Sequence, residues 1–314
     1  MSDHCLVVGE ALIDVVVRAD GSTSERPGGS PANVAVGLAR LGRQTELLAW
    51  IGLDDHGRTI REHLEDSGVE LVRGSESAIH TPVATAVLDG KGDADYSFDF
   101  AWAVSPNAAP TRKPSVVHTG SLGAVFPPGG AEVRALLEKY RSTATITYDP
   151  NVRPALMGNP VTASAQVDAV VAVSDIVKAS DDDLAWLSPD ESVSEHAARW
   201  LASGPSVVVV TKGARGATGF LRDGRRIDVS APTITPVDTV GAGDAFMAGL
   251  IDGLWSQGYI GASTRDDLVE ISTDVVNYVL TRCVGIAAVT ISREGADPPT
   301  RAELGEGELG AELL

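Results

Sequence analysis

Only two cysteines occur in this chain of 314 residues, and they lie far apart in sequence. A disulfide framework or a cysteine-rich zinc site is therefore excluded, and the reducing cytosol is the expected compartment. The first residues lack the basic and apolar regions of a signal peptide. No run of about 18 residues is apolar throughout, so we expect no membrane-spanning helix.

Basic residues are also scarce, with 25 Lys and Arg against 43 Asp and Glu and a net charge of −18. A nucleic-acid backbone or an anionic membrane would be repelled, which excludes both as general partners. A local cationic pocket for a small phosphate remains compatible with this charge. Two of the five lysines, Lys178 and Lys212, fall at predicted strand ends, where each is as well placed to face a ligand as to face solvent.

Two familiar nucleotide-binding motifs are missing as well. The chain has no G-x-x-x-x-G-K-[ST] run, which excludes a P-loop enzyme. It has no G-x-G-x-x-G on its first strand–helix turn, which argues against a Rossmann dehydrogenase.

What the chain does contain is an alternation of short apolar runs with helical stretches. The run Val207–Val210 is continuously β-branched, as is typical of a strand buried on both faces. Such alternation predicts a mainly parallel sheet covered by helices on both sides. The predicted strands of this sheet are Leu6–Val8, Glu46–Ile51, Val116–Thr119, Thr145–Tyr148, Ile176–Ala179, Val207–Thr211 and Ala217–Leu221, and the predicted helices are Pro31–Leu41, Gly57–Ser67, Gly130–Tyr140, Ala242–Ser256 and Asp266–Arg282.

Two segments interrupt this rhythm, Asp14–Arg26 and Thr81–Asp99. The second alternates apolar and polar positions around a Gly90-Lys-Gly92 turn, which indicates antiparallel strands outside the main sheet. We predict a small β lid over the edge of the sheet. The end of the chain, Gly305–Leu314, has the composition of a loosely tethered tail.

The strongest chemical signal is the run Asp238-Thr-Val-Gly-Ala-Gly-Asp244, which opens a predicted helix. Its glycines let the backbone approach a ligand, and the first N–H groups of a helix form an anion hole for a phosphate. Asp244 can accept the proton of an attacking hydroxyl while those amides hold the phosphoryl group. Taken alone, the run is explained equally well by a helix start whose acidic residue complements the helix dipole.

Three further runs lie at predicted strand ends or helix starts. Pro27-Gly-Gly-Ser-Pro-Ala-Asn33 offers close backbone contact and an amide for a sugar hydroxyl, or simply a turn before a helix. Thr211-Lys-Gly-Ala-Arg-Gly216 follows a buried strand, where open α/β sheets bind ligands, although an ordinary glycine turn has the same composition. In Asp149-Pro-Asn-Val-Arg153, Arg153 can hold an anion or belong to an Asx turn.

Together and in this order, the four runs resemble the PfkB (ribokinase-like) family of carbohydrate kinases. The resemblance extends from about Leu6 to Leu304, and within the family the fructokinases are the most similar. The runs behind this similarity are Gly9-Glu-Ala-Leu-Ile-Asp14, Gly28-Gly-Ser-Pro-Ala-Asn33, Asp149-Pro-Asn-Val-Arg153 and Gly295-Ala-Asp-Pro-Pro-Thr-Arg-Ala-Glu-Leu304. The resemblance implies one kinase domain over residues 1–314, with a three-layer α/β fold and lid strands from about 14–26 and 81–100.

The resemblance also implies the roles of individual residues. Asp244 would be the base and Gly241, Ala242 and Gly243 the anion hole, with MgATP as phosphoryl donor and a free sugar as acceptor. The sugar side would comprise Asp14, Gly28, Gly29, Asn33, Phe98 and Arg153, and the nucleotide side Lys178, Thr211, Gly213, Gly216 and Ala288. Asp183 would reach Mg²⁺ through water, and Asp238 and the carbonyl of Val240 match part of a monovalent-cation site for an ion such as K⁺. Many relatives dimerise through the lid, so a homodimer is also implied.

Two positions depart from the family pattern. Ser180 and Asp183 stand where an Asn-x-x-Glu run usually helps to organise metal and phosphate. Leu12 replaces the ribose-binding asparagine of ribokinases, which favours another sugar. D-fructose is the expected substrate, and 2-keto-3-deoxygluconate, whose carboxylate Arg153 could bind, is the alternative. A non-catalytic sugar- or nucleotide-binding regulator on the same scaffold is the alternative of another class.

Overall fold

The protein is described from a computed structural model, which covers residues 4–88 and 94–305. Its main sheet has nine strands in the order β13-β12-β11-β10-β9-β8-β1-β4-β5. Seven neighbouring strands, from β11 to β5, are parallel, whereas β12 and β13 are antiparallel to their neighbours. The strands are β1 (His4–Val8), β4 (Gln44–Leu48), β5 (Val69–Leu71), β8 (Val116–Gly120), β9 (Thr145–Asp149), β10 (Ile176–Ser180), β11 (Val207–Thr211), β12 (Ala217–Leu221) and β13 (Arg226–Val229).

Helices cover both faces of this sheet because alternate residues of each central strand point to opposite sides. In β11, Val207 and Val209 join one core cluster and Val208 and Val210 the other. The first face carries α1 (Ser30–Arg40), α2 (Asp55–Asp66), α9 (Ala242–Ser256), α10 (Arg265–Val269) and α11 (Thr273–Ile291). The second carries α3 (Ser121–Val125), α4 (Gly129–Tyr140), α6 (Pro160–Val171), α7 (Asp181–Leu187) and α8 (Val193–Ser203), and the short α5 (Pro154–Met157) lies before α6.

The four strands of a second sheet form the lid, in the order β3-β2-β6-β7. They are β2 (Leu12–Val17), β3 (Thr23–Gly28), β6 (Val83–Leu88) and β7 (Ala94–Asp99). Each sequence-local pair is antiparallel as predicted, but the two hairpins join through β2 and β6, which pair in parallel. The predicted turn at Gly90-Lys-Gly92 lies outside the described residues, as does most of the predicted tail.

The prediction of one helix over Asp266–Arg282 was wrong. The chain forms α10, then a break at 270–272, then α11, because the Ser272 hydroxyl accepts a hydrogen bond from Val275 N and caps a new helix. In the described part of the chain, α11 is the one helix that is long and apolar enough to cross a membrane. Half of its most apolar window is buried inside the protein, and it packs on α9, as a core helix does.

Candidate active site

The carboxyl ends of the parallel strands bring several polar residues to one edge of the sheet. Glu10 follows β1, Asp149 and Ser180 end β9 and β10, and Thr211 ends β11. The register pairs Ser180 with Thr211 directly. Ligands of open α/β sheets bind at this edge, where the loops leave a crevice between strand ends and helix starts. The amino ends of α1 and α9 meet the same edge.

Asp244 lies in the first turn of α9 and is almost fully buried. Its Oδ1 accepts a hydrogen bond of 2.7 Å from Ser30 Oγ, and its Oδ2 accepts one of 2.8 Å from Asn33 Nδ2. Both donors come from the first turn of α1, so two helix starts converge on one carboxylate. The sequence predicted the positions of Asp244 and Asn33 in the site, but it gave no sign that Asn33 and Ser30 hold Asp244.

The glycine turn before α9 has the geometry of an anion-binding helix start. Gly241 adopts a left-handed backbone with φ of 76°, and a Cβ there would overlap Ala296. This turn aims the first N–H groups of α9, near Ala242 and Gly243, away from the helix. Ala242 N makes only a long hydrogen bond of 3.4 Å to Thr239 O, and the first amides of a helix lie at the positive end of its dipole, so this turn is suited to a phosphate.

A buried ion pair lies directly beneath this turn. Lys178 Nζ donates to Asp149 Oδ2 at 2.8 Å, and both side chains are almost fully enclosed. Burial works against charge on the lysine, but Asp149 together with Asp183 and Asp244 raises the pKa of Lys178 above its usual value. Burial raises the pKa of Asp149 to about 6 in spite of Lys178. The 2.8 Å contact thus favours the charged form of each partner, against the effect of burial.

On the lid side, Asp14 faces the cleft from β2. Its side chain is open to the cleft, but the surrounding protein excludes enough water that desolvation raises the pKa of Asp14 to about 6. The nearby charge of Asp244 also raises this pKa, whereas that of Arg153 lowers it. A Cβ at Gly28 would overlap the Asp14 carboxylate, and one at Gly29, where φ is 102°, would overlap the backbone of Glu10. The two glycines therefore make room for the carboxylate and for the chain start of α1.

Two residues in strained backbone conformations flank this site. Ser121 has φ of 49° and Asn151 has φ of 37°, both unusual for residues other than glycine. Arg153 Nη1 donates to Asn151 Oδ1 at 2.7 Å, which fixes the arginine at the end of β9. Such strained positions cluster at functional sites.

Glu10 is a buried acid for which the sequence suggested no role. Its Oε2 accepts a hydrogen bond of 2.7 Å from Gly123 N, which ties the end of β1 to α3. Burial raises the pKa of Glu10 to about 7, and the hydrogen bonds from Gly123 and Ser121 oppose that shift. The run Gly9-Glu10 just after a buried strand was the available sequence signal.

Ser180 and Asp183, which depart from the family pattern, form a capping box at the start of α7. Ser180 Oγ accepts from Asp183 N, and Asp183 Oδ2 accepts from Ser180 N at 2.8 Å. Asp183 Oδ1 also accepts from Val152 N, so each carboxylate oxygen already has one backbone donor. Among the described residues, no three His, Cys, Asp or Glu side chains group as a metal site.

Three of the five predicted nucleotide-side residues, Thr211, Gly213 and Gly216, lie at the end of β11. Thr211 ends that strand, and Gly213 and Gly216 follow with φ of 54° and 86°. A Cβ at Gly216 would overlap Val229 O, so this glycine is required by packing against the end of β13. Ala288 is buried on α11.

Asp238 and Val240 lie in the loop that leads to α9. The Asp238 carboxylate accepts hydrogen bonds from Val240 N at 3.0 Å and from Gly295 N at 2.8 Å. It therefore ties this loop to the C-terminal segment next to the glycine turn. The hydrogen bond from Val240 N lowers the pKa of Asp238, and the one from Gly295 N lowers it further.

Phe98, which was predicted on the sugar side, is followed by two further aromatic residues, Phe100 and Trp102, and the structure separates the three. Phe98 belongs to the lid strand β7, opposite Ala84 of β6. Phe100 packs edge-on against Phe126, with ring centroids 4.9 Å apart. Trp102 is buried in the core, and its Nε1 donates to Gly123 O at 2.8 Å. Of the three, Phe98 alone lies in a lid strand.

A cavity of about 610 Å³ lies away from these residues, where β10 and β11 begin. Its arginines already have partners: Arg265 Nε donates to Asp175, and Arg222 donates to the carbonyl of Pro205. This cavity is at the edge of the sheet opposite to Asp244. The crevice at the carboxyl edge is therefore the candidate active site.

An α/β sheet with a β lid, a glycine turn at a helix start and a carboxylate inside that turn define a phosphotransferase of the carbohydrate-kinase class. Residues 2–301 match the family described as pfkB family carbohydrate kinase, and the chain belongs to that family. It is 35% identical over 263 residues to a fructokinase of Rhizobium leguminosarum bv. trifolii, covering 79% of each chain. It is 30% identical over 302 residues to a fructokinase of Klebsiella pneumoniae, covering 92% of this chain and 94% of that one.

Solved structures agree with the fold. Fructokinase from Vibrio cholerae O395, with fructose, ADP and calcium ion bound, is 26% identical and superposes with a TM-score of 0.79 over 100% of this chain and 99% of that one. A double mutant of that fructokinase binds fructose, ADP and potassium ion, and it superposes with a TM-score of 0.78 over the same shares. The ribokinase-like three-layer fold predicted from the sequence is confirmed, and the chain is a fructokinase-like sugar kinase.

Proposed function

We propose that this protein transfers the γ-phosphoryl group of ATP to a primary hydroxyl of a free sugar, converting D-fructose to fructose 6-phosphate. The observation that carries the proposal is the placement of Asp244. Its carboxylate stands in the first turn of α9, among the N–H groups suited to a phosphate, and it is held by Ser30 and Asn33 of α1. The sequence similarity to fructokinases over most of the chain supports D-fructose as the acceptor.

In this mechanism the sugar lies between the lid and α1. Asp14 and the carbonyl oxygen of Asn33 accept hydrogen bonds from sugar hydroxyls, and Gly28 and Gly29 let the backbone approach. Phe98 covers the sugar from the lid, and Arg153 closes the same end of the cleft. The reacting hydroxyl then points at Asp244, which takes its proton as the new O–P bond forms, while the bond from the γ-phosphorus to the bridging oxygen breaks and ADP leaves.

The nucleotide lies along the carboxyl ends of β10 and β11. Thr211, Gly213 and Gly216 border its phosphates and ribose, and Ala288 leaves space beside the base. The amides at 241–243 receive the transferring phosphoryl group, whose charge is spread over its equatorial oxygens. Donors already in place at that position stabilise the transition state without reorganisation.

The donor set around Asp183 is compatible with Mg²⁺ only through water. Each Asp183 oxygen accepts one backbone N–H and retains a second acceptor position for a metal-bound water. When bound, Mg²⁺ neutralises phosphate charge. Asp238 and the carbonyl of Val240 would hold a monovalent cation such as K⁺ beside the glycine turn, where Gly295 N already anchors the carboxylate.

A sugar panel with MgATP tests the proposal, with ADP release measured with and without K⁺. D-fructose should give the highest kcat/KM. A higher kcat/KM for 2-keto-3-deoxygluconate would instead identify the substrate as an acidic sugar whose carboxylate Arg153 binds. Sugar binding by calorimetry without ADP release would instead establish a non-catalytic regulator.

We further propose a single cytosolic kinase domain over residues 1–314 that forms a homodimer through the lid. Val87 of β6 is 46% exposed, and an apolar residue on the lid surface suits such a contact. Light scattering of the purified protein tests the dimer, and the Val87→Glu substitution should shift it towards monomer.

A further inference from the structure

Lys178 lies in a strand of the central sheet, and its ammonium group is sealed from solvent. The side chain is 4% exposed, and that of its partner Asp149 is 0% exposed. Asp149 ends β9, and Lys178 is the middle residue of the neighbouring parallel strand β10, so the sheet itself sets their 2.8 Å ion pair. Burying a lysine with one fixed partner costs desolvation free energy, so a contribution to stability does not explain why the pair is present.

The ammonium group touches the glycine turn. A Cβ built at Gly243 would lie 3.0 Å from Lys178 Nζ, and among the described residues outside this turn of α9 no other atom comes within 4 Å of that point. The positive end of the ion pair therefore faces Gly243, and the Asp149 carboxylate is further away. Gly243 leaves the ammonium this close to the backbone because it has no side chain.

We propose that Lys178, held by Asp149, acts through Gly243 as a positioning residue that strengthens the anion hole for the transferring phosphoryl group. This inference rests on the proposed function, because it assigns the phosphoryl group to the amides at 241–243. A fixed positive charge beneath those amides, shielded from water, favours negative charge on their outer side. The effect is largest in the transition state, when the phosphoryl group lies against the turn.

Substitution of Lys178 alone would leave Asp149 as an uncompensated buried charge and could unfold the protein. The informative variant is therefore the double substitution Lys178→Met with Asp149→Asn, which removes both charges and keeps the volumes similar. Asp149→Asn alone serves as the matched control, because it keeps Lys178, whose charged form Asp183 and Asp244 still favour. Thermal unfolding of each variant reports whether the fold is retained.

We expect the double variant to unfold near the wild-type temperature and to bind D-fructose and ADP within about threefold of wild type. Its kcat should fall by about 10²-fold, the size of effect seen when one donor to a transition-state charge is lost. Asp149→Asn should retain more kcat than the double variant. A folded double variant with kcat within threefold of wild type would show that the pair is only structural and would overturn the proposal. A raised KM for ATP with unchanged kcat would also overturn it, since Lys178 would then contact the bound nucleotide.

A second measurement needs no turnover. Aluminium fluoride added with MgADP mimics a transferring phosphoryl group, and it should tighten nucleotide binding to wild type at least tenfold more than to the double variant. If wild type shows this tightening but phosphorylates no sugar, the proposed function fails and the role of Lys178 stands. If aluminium fluoride tightens binding equally in both proteins, or in neither, the role of Lys178 is wrong.

Discussion

Ser30 Oγ donates a 2.7 Å hydrogen bond to Asp244 Oδ1 across 214 residues of sequence. Asn33 holds the other oxygen of the same carboxylate at 2.8 Å. The two bonds leave the carboxylate little rotational freedom and hold it in one orientation at the start of α9. The sugar-side helix thus orients the base at the phosphate-side helix.

Ser30→Ala should lower kcat by about 10- to 100-fold, because a hydrogen bond to a charged group contributes about 1.5–3 kcal/mol. The KM for sugar should change little, since Ser30 acts on the base. Steady-state ADP release measures both constants. Ser174→Ala is the matched control, because Ser174 is also buried but its hydroxyl bonds to Val170 O, far from the site. A kcat within twofold of wild type for Ser30→Ala would contradict this role.

Asp244→Asn should lower kcat by about 10²- to 10⁴-fold, the range attributed to general acid–base catalysis. The amide keeps the shape of the side chain, so calorimetric affinity for the sugar should stay within a few-fold. Asp182→Asn is the control, because Asp182 is an exposed acid in the first turn of α7. Turnover by Asp244→Asn at nearly the wild-type rate would refute Asp244 as the base.

The kcat/KM for sugar should fall as the pH drops through about 6. Desolvation raises the pKa of Asp14 to about 6, so in the free enzyme this carboxyl becomes protonated over that range and loses an acceptor for the sugar hydroxyl. Kinetics from pH 5 to 8 test this, and Asp14→Asn should flatten the acidic limb at a lower kcat/KM. An unchanged limb in Asp14→Asn would assign the titration to Glu10 or Asp149, and Glu10→Gln separates those two.

Asp252 is a buried carboxylate of α9 that joins three arginines remote from the site. Arg43, Arg282 and Arg301 lie 2.6, 2.6 and 2.7 Å from its oxygens, and the Asp252 side chain is 0% exposed. Asp252→Ala should lower the free energy of unfolding by about 3–5 kcal/mol, because it leaves these arginines without their shared partner.

Urea unfolding measures that loss. Asp223→Asn is the matched control, because Asp223 pairs with Arg225 at the surface and its removal should leave the unfolding midpoint unchanged. Equal midpoints for Asp252→Ala and Asp223→Asn would show that the arginine cluster does not stabilise the fold.

Much of the fold was predictable because its signals are local. The β-branched run Val207–Val210 indicated a strand buried on both faces, and it is buried in β11, the third strand from one edge of the sheet. The division of Asp266–Arg282 into two helices was missed, because Ser272 is one capping residue within a stretch of helical period. The parallel pairing of β2 with β6 was missed as well, since hairpin signals describe strands adjacent in sequence.

The sequence by itself determined the class of the protein and the position of its glycine turn, because a left-handed Gly241 and an acid three residues later are short-range requirements of an anion-binding helix start. Only the tertiary structure decided what surrounds that turn. Ser30 and Asn33 meet Asp244, and Lys178 meets Gly243, through the parallel order of strands and the packing of α1 against α9. Contacts between residues more than 200 positions apart leave no periodic pattern in a single sequence. They depend on which strand ends the sheet brings to the same edge.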